Sequence, residues 1–133
     1  MKKTLTTSLN QIPQLAKSMA AELKGGEILA LVGDLGSGKT TFTQALAKQL
    51  KIKKRITSPT FTIMNVFKTR ARSKEIFLYH LDLYRTKNFK EVEALGITEI
   101  WGDARTITII EWADKIKSHL PKNTLLIKFK NEN

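Results

Sequence analysis

The stretch "GDLGSGKT", Gly33 to Thr40, carries the residues best suited to chemistry. It matches G-x-x-x-x-G-K-[ST], the Walker A phosphate loop, without a gap. At average residue frequencies, chance would give that match in about one of two hundred chains of this length. Gly36 and Gly38 allow the backbone to bend until successive N–H groups converge on one concavity. A helix beginning at Lys39 adds the partial positive charge of its N-terminus. Lys39 is then placed to reach the β- and γ-phosphates, and Thr40 offers a hydroxyl to Mg²⁺. Gly36, Ser37, Gly38, Lys39, Thr40 and Thr41 are therefore the expected nucleotide-binding residues. No N-K-x-D guanine-reading tetrapeptide occurs, so the expected cofactors are ATP/ADP with Mg²⁺.

Mg²⁺ takes oxygen ligands and keeps several waters. In phosphate-loop proteins an acidic residue ending a neighbouring strand completes its surroundings. Two places offer one. "TIIEWAD" ends an apolar, β-branched run on Glu111, one methylene longer than the usual Asp. "YHLDLYR", residues 79–85, offers Asp82. At period 2 its polar face carries His80, Asp82 and Tyr84, opposite Leu81, Leu83 and Arg85. His80 and Tyr84 are expected to flank Asp82 and fix its orientation. A buried, satisfied core histidine is the other reading of His80.

These residues need a scaffold. The run Ile28 to Val32 suits a strand buried on both faces. A helix follows from Lys39 to Leu50, with Phe42, Ala45, Leu46 and Gln49-Leu50 facing inward. An earlier helix is expected from Gln11 to Lys24, capped by Asn10, with Pro13 in its first turn and Gly25-Gly26 ending it. Residues 60–67 and 75–81 read as two strands, with the basic segment Lys68 to Lys74 turning between them. Residues 88–96 read as a short helix closed by Gly96. Residues 105–110 read as a strand, 113–120 as a helical turn stopped by Pro121, and 124–130 as a last strand. The expected fold is α/β: a P-loop NTPase-like mixed, mainly parallel sheet flanked by helices, with residues 1–133 forming one domain.

Bulk composition narrows the class. With 133 residues and 41% hydrophobic content, the chain can bury a proper core. It has no cysteine, which removes thiolate metal sites and Cys nucleophiles and fits a reducing, cytoplasmic setting. The start is basic but lacks the apolar run of a signal peptide, and no stretch reads as a membrane span. The net charge of +11 attracts polyanions, with tRNA or other nucleic acid the natural candidate. A solvated lysine-rich surface explains the same charge. The clusters at residues 48–55 and 68–74 lack the interleaved aromatics of a base-stacking platform, so any contact would be to phosphates or be made through partners.

Five segments together resemble the TsaE family: "GDLGSGKTTF" at 33–42, "SPTFTI" at 58–63, "YHLDLYR" at 79–85, "EALGITEIW" at 93–101 and "IIEWAD" at 109–114. They occur in the family's order and cover nearly the whole chain. The resemblance implies the ATPase component of bacterial tRNA threonylcarbamoyladenosine biosynthesis. Its implied partners are a threonylcarbamoyl transferase subunit and that subunit's inactive paralogue, and the ATPase would reset their complex between cycles. By motif match, Thr40 and Glu111 would ligate Mg²⁺, Asp82 would be needed for hydrolysis, and Trp112 would lie beside the site. Thr60 would take a switch-like position near the γ-phosphate; it also reads as a turn residue after Pro59. The chain ends soon after its last expected strand, earlier than many relatives do.

Two other readings compete. A small metabolite kinase would use "KTRARSK", residues 68–74, as a source of lid arginines. A non-catalytic adaptor would bind nucleotide and dock on partners without turnover.

Overall fold

The computed structural model describes residues 3–54, 56 and 64–131. Six strands form one sheet in the order β1-β6-β2-β5-β4-β3. They are β1 (Lys3–Ser8), β2 (Ile28–Val32), β3 (Met64–Ala71), β4 (Lys74–Asp82), β5 (Thr106–Glu111) and β6 (Leu125–Lys130). Every neighbouring pair is parallel except β3 and β4, which form an antiparallel hairpin at one edge. This is the mixed, mainly parallel sheet that the apolar runs predict. β5 is buried at all six positions, as a strand covered on both faces must be.

Each sheet face buries its own apolar cluster. Leu29, Leu31, Ile76, Leu78, Ile107, Ile109 and Ile127 meet Ile12, Ala16 and Met19 of α1 (Ile12–Glu22) and Phe42, Leu46 and Ala47 of α2 (Lys39–Gln49). On the other face Ile28, Ala30, Leu81, Leu83, Ile110 and Leu126 meet Val92 of α3 (Phe89–Glu93), Ile97 of α4 (Ile97–Ile100), and Ala113 and Ile116 of a 3₁₀ segment, Ala113–His119.

Several elements differ from the sequence expectation, each for a local reason. β1 was not expected; its Thr-rich stretch is held by parallel pairing along β6. Gln11, not Asn10, stands at the cap of α1, because Leu9–Gln11 first forms a 3₁₀ turn in which Asn10 accepts a bond from Ser8 Oγ at 2.8 Å. Gln49 is exposed, and Thr43 and Ala47 take the inward places on α2. The basic segment 68–74 is mostly strand. Only Arg72 and Ser73 turn, both at positive φ (52° and 63°), which is the two-residue hairpin geometry. Alternation explains this: Phe67, Thr69 and Ala71 turn inward while Lys68 and Arg70 face water. Gly96, at φ 77°, does close the helix begun at Asn88, whose side chain accepts from Glu91 N–H, but α4 starts directly after it. The part of the first hairpin strand at 60–63, with Thr60, lies outside the described residues.

This topology gathers three strand ends. The C-termini of β2, β5 and β4 lead into the glycine loop, Glu111 and Asp82 respectively. In the ladder, Leu31 pairs with Glu111, and Glu111 pairs with Asp82. The site residues therefore sit side by side at one end of the sheet, where parallel α/β folds place ligands.

Candidate functional site

Gly33, Gly36 and Gly38 adopt φ of 156°, 79° and 112°, which side chains rarely tolerate. Ser37 N–H bonds Asp34 O at 3.0 Å, drawing the loop into a tight turn. Gly38 also allows close approach: a Cβ there would lie 2.7 Å from Ile12 Cδ1. The loop delivers the chain into α2, and Lys39, Thr40 and Thr41 are its first residues. Their N–H groups have no acceptor within the helix, so they are available to an anion at the positive end of the dipole.

Lys39 is 4% exposed and folds back over the loop. Its Nζ donates to Gly33 O and Asp34 O, the latter at 2.9 Å, and lies 4.0 Å from the centre of the Trp112 ring. Burial lowers its pKa below the ordinary lysine value, although the carboxylates of Glu111, Asp114, Asp34 and Asp82 pull the other way. A buried ammonium held by two carbonyls and a ring face can exchange those partners for phosphate oxygens.

Thr40 Oγ1 donates to Glu111 Oε1 at 2.8 Å. The other carboxylate oxygen, Oε2, lies 2.6 Å from His80 Nε2. Glu111 and His80 are almost fully buried, at 1% and 0% exposure. His80 thus braces Glu111, not Asp82 as its spacing suggested. The reason is register: Glu111 is the ladder partner of Asp82, so His80 on the same face reaches it diagonally. Asp82 is oriented instead by its own chain, with Oδ1 accepting the Tyr84 N–H at 3.0 Å.

Trp112 follows Glu111 at φ 60°, a strained value for an aromatic residue, and its ring lies 5.0 Å from that of Tyr84. Sequence reasoning missed Lys115. Its Nζ donates to the carbonyls of Tyr84 and Thr86 and so ties the segment after Asp82 to the segment after Glu111. Nothing in "ADKIKSHL" marks that lysine from its neighbours. Arg85 is exposed and, among the described residues, forms no ion pair with Asp82 or Glu91.

The donor set fits Mg²⁺. One hydroxyl and one carboxylate oxygen stand together, the oxygen donors that Mg²⁺ takes alongside waters. Among the described residues no group of three or more His, Cys, Asp or Glu is placed to hold a metal ion. The lid reading of residues 68–74 fails on geometry. The hairpin turn sits before the start of β4 and Asp82 at its end, about 26 Å apart at strand rise. Arg72 instead donates to the carbonyls of Ala21 and Glu22 at the end of α1.

Comparison with known proteins shows the family and the fold. The family described as "Threonylcarbamoyl adenosine biosynthesis protein TsaE" matches residues 6–133. The protein of that function from Bacillus subtilis is 38% identical over 128 residues, 96% of this chain and 77% of its own. That from Aquifex aeolicus is 38% identical over 119 residues, 88% of this chain and 80% of its own. The crystal structure of Bacillus subtilis YdiB superposes with a TM-score of 0.59 at 33% identity, covering 90% of this chain and 70% of that one. The α/β fold is thus shared with a solved structure.

Proposed function

This chain belongs to the TsaE family, and on that premise we propose that it binds and hydrolyses ATP with Mg²⁺ in support of threonylcarbamoyl modification of an adenosine beside the tRNA anticodon. The observation that carries the reading is the Thr40–Glu111 bond, set below the glycine loop with Asp82 as the next residue across the sheet. Lys39 and the first amides of α2 hold the phosphates. Thr40 and Glu111 are the residues that would hold the metal, which when bound neutralises phosphate charge and aligns the leaving oxygens. Asp82 positions the attacking water or accepts its proton. Trp112 covers Lys39 and keeps water from it.

The partners in this reading are the threonylcarbamoyl transferase subunit and its inactive paralogue, and the setting is the cytoplasm. Among the described residues no helix is long and apolar enough to cross a membrane. The transfer chemistry stays with the partner, and hydrolysis resets the complex. Contact with tRNA is made directly or through that complex. Phosphate release by the purified chain, measured alone and with the transferase pair, tests this. Slow release that rises when the pair is added supports the proposal. ATP binding without any stimulated release would overturn it and leave the nucleotide-binding adaptor; absence of ATP binding would overturn both.

A further inference from the structure

We propose that His80 is a positioning residue whose work is to hold the Glu111 carboxylate in the one orientation that keeps Oε1 beside Thr40. This rests on the reading of Thr40 and Glu111 as the metal-holding pair. Glu111 stands where phosphate-loop proteins usually carry Asp. The extra methylene adds a rotatable bond, so a glutamate there has more freedom to lose before its oxygen is in place. Two contacts remove that freedom. Thr40 Oγ1 holds Oε1 at 2.8 Å, and His80 Nε2 holds Oε2 at 2.6 Å.

The chemistry of His80 fits a brace. In that role the Glu111 carboxylate accepts, and the tautomer that serves it carries the hydrogen on Nε2 and donates. Nδ1 is buried and has no hydrogen-bond partner among the described residues, so within them the ring's polar contact is spent on Glu111. A histidine kept only for packing would not need a fully buried ring with one nitrogen unpaired among the described residues, an arrangement that costs stability. Ile76 and Leu78 precede it on the same face of β4 and join the apolar cluster under α2, so the strand that carries His80 is anchored on that face. If His80 is lost, the buried Glu111 keeps one hydrogen bond and can swing.

The test compares His80→Gln with His80→Asn. Glutamine places an N–H donor near the Nε2 position; the shorter asparagine leaves its donor out of reach of Oε2. Both remain polar and of moderate size. Binding of a fluorescent ADP analogue is measured in excess EDTA and in excess Mg²⁺. In the parent, Mg²⁺ should strengthen binding. His80→Asn should bind as the parent does in EDTA but lose most of the Mg²⁺ increment, about tenfold, in line with the loss of a residue that orients a metal ligand. His80→Gln should restore the increment. Thermal unfolding identifies a variant that fails to fold; if His80→Asn does, His80→Gln against His80→Leu at low temperature replaces the comparison. An undiminished Mg²⁺ increment in the variant lacking the donor overturns the brace. A parent with no Mg²⁺ increment at all overturns the metal-site reading instead, so the two failures are distinct.

Discussion

Asp82 and Glu111 are ladder partners on adjacent parallel strands, yet only one of them is sealed from water. Glu111 is 1% exposed and held at both oxygens, whereas Asp82 lies half-buried and is held at one. The same register that makes them neighbours divides their work. A fixed, buried carboxylate suits a metal; a half-buried carboxylate held at one oxygen suits a water nucleophile.

From this division, Asp82→Ala should spare nucleotide binding and cut hydrolysis by about a hundredfold or more, the usual contribution of a general base. Glu111 keeps its contacts to Thr40 and His80 in that variant, so the Mg²⁺ dependence of binding should stay as in the parent. Isothermal titration alongside phosphate release separates the two quantities. A variant that hydrolyses ATP at the parent's rate with the partners present would remove Asp82 from the chemistry.

Lys39 gives a pH dependence with a definite sign. Burial lowers its pKa, so it loses its proton at lower pH than an ordinary lysine does. Phosphate needs the charged form. Affinity for ATP should therefore fall on the alkaline side, starting below the usual lysine range. In Lys39→Arg, whose group stays protonated, affinity should be lower overall but flat there. Between the folded and unfolded pKa values the unfolded chain binds more protons, so this residue makes folding more favourable as pH rises across that window. Lys39→Ala should weaken ATP binding at every pH. Because Lys39 Nζ lies over the Trp112 ring, nucleotide binding should also change tryptophan emission, and Trp112→Phe should abolish the change.

The parts legible in the sequence are those governed by local pattern. The apolar run of β2 and the glycine loop placed the phosphate end, and the β-branched run of β5 placed Glu111 at its last residue. What stayed hidden depends on register between distant segments. The sequence pairs His80 with its neighbour Asp82, because nothing local says that β4 and β5 pair with Asp82 opposite Glu111. The basic run 68–74 reads as a turn because charge masks a period-2 alternation on an edge strand. β1 was missed because it draws its stability from β6, at the other end of the chain.

Gly33 and Gly36 should respond differently to alanine. At Gly36 a Cβ would meet nothing within 4 Å, so only its φ of 79° opposes the change, at about 1–2 kcal/mol. At Gly33 a Cβ would lie 2.6 Å from Ser37 Oγ and 2.9 Å from Phe129 O. The second contact is backbone of β6 and cannot move cheaply. Gly33→Ala should therefore lower the unfolding midpoint further than Gly36→Ala, by about 5 °C or more relative to the parent. Equal midpoints in thermal unfolding would show that the loop relaxes around the methyl group.

Lys115 should matter to turnover more than to stability. It is exposed, so its removal leaves no buried hole. Its Nζ nevertheless joins the carbonyls of Tyr84 and Thr86 and lies 5.8 Å from the Tyr84 ring centre. Those residues form the turn after Asp82, closed by the Thr86 N–H to Leu83 O at 3.0 Å. Lys115→Met keeps the stem and removes the tie. The turn should then open more often, and hydrogen exchange at the Thr86 amide should quicken while amides within β5 stay protected. Because Asp82 is aimed by the Tyr84 N–H in that same turn, hydrolysis should drop several-fold with little change in ATP affinity. Unchanged exchange at Thr86 together with unchanged turnover would mean that the turn holds Asp82 without Lys115.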